Sequence, residues 1–397
     1  MWQGRHVVLG VTGGIAAYKC VLLARELARR GALVDVVMSR GATAFVGAVT
    51  FEAVTRRPVH SSLWERNRAL EHVALGQRAD LIIVAPATAN FVARTAAGIA
   101  DDLLTSVVLA SAAPVLLAPA MNDEMYANIA TQENIRSLTD RGWSFVGPGI
   151  GDLAEGPSER QGRMAEVDEI LAHAARALRQ GSTLAGRRVV VTAGPTREPI
   201  DPVRMITNRS SGKMGYRLAE AAWRRGASVV LISGASHEPV PIGAELVRVD
   251  TTAELVDAVR AALPGSDVLI MAAAPSDYRP VAPRAGKLPR SEGGFSLELT
   301  PTEDILLATL AQRPSDLIAV GFALETGNAI EKGRDKLQRK QLDMIVVNDA
   351  LEPGAGFDVD TNAVTILDRR GRAEQVSLRS KADVAESILD AIESYRD

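Results

Sequence analysis

Short apolar runs bounded by glycine alternate with amphipathic segments along the chain. In the first half VVLGVTGGIAAYK leads through LLARELARRGA to VDVVMS, and in the second VVVTAGPT leads through GYRLAEAAWRRGA to SVVLIS. Each is strand, glycine-containing loop, helix, strand. Continuous apolar runs alternating with helices of 3.6-residue period predict parallel β-α-β units and an α/β fold of two Rossmann-like domains. Each half then adds a buried strand that ends in a polar loop, DLIIVAPATAN and DVLIMAAAPSDY. Open α/β sheets bind ligands at the carboxyl ends of their strands, so the chemistry is expected in those loops.

The helix ILAHAARALR ends near Arg179, the small and polar QGSTLAGRR follows, and a new strand begins at Val189. Domain one is therefore expected at about 1–180 and domain two at about 186–397, in keeping with the chain's 397 residues. Leu103 to Met121 is free of charge, but Pro114 and Pro119 break it. It reads as a helix end, a turn and the buried strand Val115–Ala118 rather than a membrane span.

Composition removes several classes. With 23% charged residues and a net charge of −3, nothing points to nucleic acid or an anionic membrane surface. Cys20 is the only cysteine and the five histidines are scattered, so neither a disulfide framework nor a zinc site is expected. The N-terminus runs straight into HVVLGV, which predicts no leader and a cytoplasmic protein.

Gly10, Gly13 and Gly14 lie between a strand and a helix, where glycines let a phosphate approach the backbone and the helix N-terminus. The spacing is not G-x-G-x-x-G, and close helix–strand packing would account for it equally well. Two polar strand ends add weight. Ala85–Ser106 holds Thr88, Asn90 and the pair Asp101, Asp102, and APAMNDEMYAN holds Asn122.

GVTGGIAAYK, EHVAL, APATAN, ADDLLT and APAMNDEMY together resemble the FMN-containing cysteine decarboxylases, over nearly all of domain one. The resemblance implies FMN held by Gly13, Gly14, Ser39, Thr88 and Asn90, with His72 as base and Asn122 on the substrate carboxylate. The implied chemistry is flavin oxidation of the C–S unit to a thioaldehyde, loss of CO2, and return to the saturated thiol. The family often carries a cysteine in the segment that here reads GDLAEGPSERQGRMAE. Glu155 stands in its place, as an alternative proton donor or as a solvated loop residue. Taken alone, His72 is more often a surface or core histidine, and Asn122 a turn residue.

In domain two, VTAGPTREPIDPVRMITNRSSGKMG resembles half of a P-loop, but position 207 is Thr207 and position 214 is Met214, which excludes a Walker loop. What remains is a Gly/Ser loop feeding a helix, with Arg204, Arg209 and Lys213 nearby, suited to an anion. This stretch and AAAPSDYRP, KLPR, GFALET, KLQRKQLDMIVVND and GFDVDTNAVTIL resemble phosphopantothenate–cysteine ligases in order, almost end to end. The resemblance implies CTP, handled with Mg2+, and an acyl-cytidylate stabilised by Asn208 and Arg204. It implies CTP contacts from Met271, Ala272, Ala273, Asp277, Asp304, Ile305, Phe322, Lys336 and Lys340, with Lys287 by the phosphates; KLPR replaces a more basic family segment and leaves Lys287 and Arg290. Pro275 and Ser276 depart from the family's usual Ala-Val-Ala-Asp-Tyr, which leaves the base contacts of that loop open.

The whole chain thus resembles a fused decarboxylase and ligase of coenzyme A synthesis, with small-molecule substrates. Threefold contacts implied for the flavin half and twofold contacts for the ligase half would close into a dodecamer. A nicotinamide-dependent oxidoreductase and a non-catalytic flavoprotein on the same folds are the alternatives. The missing G-x-G-x-x-G weighs against the first, and flavin content and turnover test the second.

Overall fold

The computed structural model describes residues 1–64, 70–179, 181–288, 296–325, 327–349 and 359–396. The chain divides into two compact units, Met1–Gln180 and Gly181–Asp397.

The first unit runs β1 (His6–Val11), α1 (Ala17–Arg29), β2 (Leu33–Met38), α2 (Ala48–Thr55), β3 (Val59–His60), α3 (Glu71–Arg78), β4 (Leu81–Ala87), α4 (Ala89–Ala96), α5 (Leu103–Leu109), β5 (Val115–Pro119), α6 (Asp123–Ala127), α7 (Ile129–Asp140), β6 (Ser144–Phe145), β7 (Gly149–Ile150), β8 (Gln161–Arg163) and α8 (Val167–Ala177). The main sheet has the order β3-β2-β1-β4-β5-β6, with every pair parallel. Both faces are covered, which is why the strands read as unbroken apolar runs. Val7, Leu9 and Val11 pack with α1 and α8, while Val8, Ile82 and Val84 pack with Leu75, Phe91 and Val107 from α3, α4 and α5. The charge-free stretch from Leu103 splits into α5, a turn and β5, and no helix among the described residues is long and apolar enough to cross a membrane.

The second unit runs β9 (Arg188–Ala193), β10 (Arg197–Pro199), β11 (Met205–Thr207), α9 (Lys213–Arg224), β12 (Ser228–Ser233), β13 (Ala244–Arg248), α10 (Thr252–Ala262), β14 (Val268–Met271), β15 (Tyr278–Pro280), β16 (Leu299–Pro301), α11 (Ile305–Ala308), β17 (Ile318–Glu325), α12 (Ala329–Arg339), β18 (Met344–Asp349), β19 (Thr361–Asp368), β20 (Ala373–Ser380) and α13 (Lys381–Arg396). Its sheet order is β13-β12-β9-β14-β17-β18-β19-β20, parallel through β18 and antiparallel beyond. The centres of the two sheets repeat one plan: β2-β1-β4 in the first, β12-β9-β14 in the second.

Two features were not read from the sequence. The long stretch after β9 folds into the antiparallel hairpin β10–β11. Asp201 turns it by accepting the Val203 and Arg204 amides, each at 2.8 Å, a local bond that short carboxylates favour. Residues 181–185 also belong to the second unit: Leu184 is fully buried, and Ser182 donates to Glu393 of α13. The same Glu393 meets the fully buried Arg225, which Glu386 and Asp390 also hold, so α13 is pinned on the end of α9 by one guanidinium and three carboxylates.

Candidate active sites

In the first unit the carboxyl ends of β1, β4 and β5 open on a cavity of about 1000 Å³. Its wall includes Gly13, Gly14, Ser39, Thr88 and Asn90, and on another side Asn122 and Glu155. The glycines divide by role. A Cβ on Gly10 would lie 2.6 Å from Leu104 Cδ1, so that glycine serves packing. One on Gly13 would lie 2.8 Å from the Gly41 backbone, so the loops after β1 and β2 touch there. Gly14 meets nothing nearer than 3.7 Å and leaves its backbone open to the cavity. Thr12 fastens the neighbouring loop, donating to Pro86 O at 2.6 Å and accepting from Thr88 N at 3.1 Å. Thr88 then caps α4.

Asp102, also on the wall, caps α5 in a capping box with Thr105 and pairs with Arg94 at 2.8 Å. Burial opposes its charge, but the Thr105 amide and hydroxyl and the Arg94 guanidinium hold its carboxyl below the usual range. Lys19 enters the cavity from α1 and pairs with Glu166 at 3.1 Å. Nothing in the sequence singled out that pair, since its partners stand far apart along the chain.

Asn122 caps α6 through Oδ1, which accepts from Glu124 N at 3.0 Å and Met125 N at 3.3 Å. Its Nδ2 donates to Glu155 Oε1. The Glu155 loop is stitched to α6 by Ser158, which donates to Asp123 Oδ2 at 2.6 Å, and by Arg160, which pairs with Glu124.

His72 stands apart from this cavity. It lies in the first turn of α3, beside Glu71, whose carboxylate is 3.5 Å from His60 at the end of edge strand β3. Asn122 follows β5 and lines the cavity, which His72 does not. His72 Nδ1 is buried with no hydrogen-bond partner among the described residues.

In the second unit the candidates gather at the carboxyl ends of β9, β14 and β17. Asn208 Nδ2 donates to Ala274 O at 3.2 Å and Pro275 O at 2.9 Å, so its amide protons hold the loop after β14. Within that loop Ala273 N donates to Thr192 Oγ1 at 3.1 Å and Ala274 N to Gly194 O at 2.9 Å. Met271 is buried, Ala272 and Ala273 are half-buried, and Asp277 is exposed. Arg204 is 40% exposed and pairs with Asp201 at 3.3 Å. Asp201 also accepts Leu288 N at 3.1 Å, which ties the segment of the exposed Lys287 to the β10–β11 hairpin. Arg290 lies outside the described residues.

The cations are engaged. Lys340 pairs with Asp304, the cap of α11, at 3.0 Å. Lys336 pairs with Glu325. Lys213 pairs with Asp360 at 2.7 Å, which raises its ammonium above the ordinary lysine range. Ile305 is a core residue at 3% exposure. Phe322 is half-buried on β17 opposite Val346. Gly212 caps α9 with φ +81, and a Cβ on Gly215 would lie 2.5 Å from Ala193 Cβ. These glycines thus serve a left-handed turn and helix–strand contact. Among the described residues, no group of three or more His, Cys, Asp and Glu side chains could hold a metal ion.

Fold and pocket define a two-unit α/β protein with a flavoprotein-type first half. Residues 1–179 match the family model described as Flavoprotein, and residues 184–395 match that of the DNA/pantothenate metabolism flavoprotein C-terminal domain. The chain is 43% identical over 393 residues to the Coenzyme A biosynthesis bifunctional protein CoaBC of Vibrio cholerae, covering 98% of each chain. It is 44% identical over 397 residues to the protein of that name from Bacillus subtilis, covering 99% of this chain and 97% of the relative. A solved C-terminal domain of a CoaBC protein aligns at 38% identity with a TM-score of 0.46, over 54% of this chain and 97% of that one. The chain belongs to the family of bifunctional coenzyme A biosynthesis proteins.

Proposed function

We propose that the second unit joins 4'-phosphopantothenate to L-cysteine at the expense of CTP, through an acyl-cytidylate. The first unit then decarboxylates the resulting 4'-phosphopantothenoylcysteine to 4'-phosphopantetheine with FMN. The observation that carries the decarboxylase half is the first-unit cavity, which is lined by both the open glycine backbone at Gly14 and Asn122.

The lining fits FMN. Gly13, Gly14 and Ser39 offer backbone and hydroxyl donors for its phosphate, and Thr88 and Asn90 offer polar contacts on a capped helix start. FMN would supply the two-electron oxidation and reduction of the C–S unit. Asn122 binds the substrate carboxylate without adding charge, and Glu155, its hydrogen-bond partner, delivers a proton as the saturated thiol forms. The site is shared between copies: His72, which does not line the cavity of its own subunit, acts as base in a neighbour's cavity. Threefold sharing of this kind, combined with ligase pairs, gives a dodecamer.

In the ligase, Ala272, Ala273 and Asp277 face the nucleotide with Phe322, while Lys336 and Lys340 exchange their carboxylate partners for phosphates. Lys287 neutralises the phosphate as pyrophosphate leaves, and Arg204 and Asn208 hold the acyl-cytidylate. Mg2+ enters with the triphosphate rather than in a cage of side chains. Such an enzyme works in the cytoplasm.

The test is one assay of the full chain with phosphopantothenate, cysteine and CTP, read by mass spectrometry. Phosphopantetheine is expected. Denatured yellow protein should release FMN and not FAD. Yellow protein that forms no product in either step would instead be a non-catalytic flavoprotein.

A further inference from the structure

Beneath the loop after β14 lies a chain of buried polar groups that none of the roles above uses. Glu198 of β10 is 3% exposed, and its Oε1 accepts both Thr252 N and Thr252 Oγ1 at 2.8 Å. Thr252 Oγ1 lies 3.0 Å from Thr196 Oγ1, and Thr196 Oγ1 lies 2.9 Å from Ser276 N. Thr196 and Thr252 are at most 2% exposed and Ser276 is 4% exposed, so solvent does not scramble the pattern.

The direction of this chain is fixed by counting protons. The single Thr252 hydroxyl proton goes to Glu198 Oε1 at 2.8 Å, well inside its 3.5 Å separation from Ser276 O. Thr252 Oγ1 must then accept from Thr196, and Thr196 Oγ1 is left with lone pairs for the Ser276 amide. Reversing one link would leave a buried donor or acceptor unpaired, at a cost of about 1–3 kcal/mol. The far end is held as tightly: Thr302 Oγ1 donates to Ser276 O at 2.6 Å, and Ser276 Oγ donates to Tyr278 O at 2.8 Å. Pro275, which has no N–H of its own, lends its carbonyl to Asn208.

We infer that Glu198 is a positioning residue: through Thr252 and Thr196 it sets the height of the Ala272–Asp277 loop and so the fit of the nucleotide base, making the ligase selective for cytosine. The inference rests on the ligase reading above. It gives Pro275 and Ser276 a role, since Ser276 is where the relay grips the loop.

The test uses the full-length protein carrying Thr252→Val, which keeps shape and removes the hydroxyl, and Thr252→Ser, which restores it. Glu198→Gln is a milder second variant, because its amide oxygen can still accept. Thr252→Val is expected to raise KM for CTP about tenfold, the scale of losing one buried hydrogen bond. It should narrow the kcat/KM preference for CTP over UTP by a similar factor, with kcat less affected. Thr252→Ser should restore both, Glu198→Gln should shift both in the same direction by less, and decarboxylation of supplied 4'-phosphopantothenoylcysteine should not change. A lower melting temperature with unchanged KM and unchanged CTP/UTP preference, in Thr252→Val or, if that variant does not fold, in Glu198→Gln, overturns the inference. Absence of CTP-dependent ligation in the unaltered protein would overturn the ligase reading instead.

Discussion

Asn122 reaches Glu155 with the only arm it has free. Its Oδ1 is committed to the Glu124 and Met125 amides at the start of α6, and its Nδ2 donates to the Glu155 carboxylate. A substrate carboxylate that takes Asn122 must therefore displace Glu155 or share the amide with it, which keeps Glu155 beside the reacting end of the substrate. Glu155→Gln keeps a hydrogen-bonding side chain but cannot deliver a proton. The expected result is accumulation of the dehydrogenated thiol, lighter by H2, where the unaltered enzyme releases 4'-phosphopantetheine. Mass spectrometry separates the two. Saturated product at equal rates from both proteins removes Glu155 from the chemistry.

Asp102 couples the same wall to pH. Its carboxyl is held below the ordinary range, so the stability it contributes is complete above the unfolded value near pH ~3.9 and is lost as pH falls through the lower folded value. Asp102→Ala also removes the α5 cap, for which about 0.5–2 kcal/mol is expected. Thermal denaturation should show the first unit melting lower in the variant at pH 7, with the gap closing toward pH ~3. A gap that widens on acidification would mean that the carboxylate is not what stabilises the helix start.

Much of this was legible in the sequence because the first sheet, and the second through β18, are parallel and buried, which writes each strand as an apolar run and each ligand loop as a polar strand end. Thr88 and Asn90 were readable for that reason, and they do line the cavity. The hairpin β10–β11 was not, since its strands have three residues each and carry no alternation. Nor was the relay: Glu198, Thr196, Thr252 and Ser276 are polar residues that a sequence offers as surface, and only the crossing of three segments buries them together. Glu325 stands inside a quoted motif, yet its hold on Lys336 depends on how α12 lies against β17.

Lys287 is exposed, on a segment tied to the hairpin through Leu288 and Asp201. A cation held near a fixed point suits a leaving pyrophosphate. Lys287→Gln should lower ligase turnover by about 10²-fold, the scale of losing one electrostatic stabiliser. Decarboxylation by the same preparation should not change. Ligation at the unaltered rate would reduce Lys287 to a surface lysine.

The second unit has its own core and its own N-terminal anchor, with Leu184 buried and Ser182 on Glu393. A fragment that begins at Gly181 should fold and ligate without decarboxylating. Starting at Gly186 instead deletes Leu184 and Ser182, so that fragment should melt at a lower temperature. A soluble, folded Gly181 fragment that forms no 4'-phosphopantothenoylcysteine with CTP would sink the assignment of this half.

His72, at the start of α3, does not line the cavity that holds Asn122, so the proposed reaction draws the two from different copies. A shared site makes a specific demand on mixtures. His72→Gln and Asn122→Ala proteins should each lose decarboxylation when pure. Unfolded and refolded together, they should form assemblies in which some cavities combine an intact His72 from one copy with an intact Asn122 from another. Activity should then return, to a fraction set by the mixing ratio. Light scattering should find no monomer at micromolar concentration. If light scattering confirms mixed assemblies and they stay inactive, or if the His72→Gln protein alone decarboxylates normally, His72 is not the base, and the half-buried histidine at the start of α3 is a packing residue.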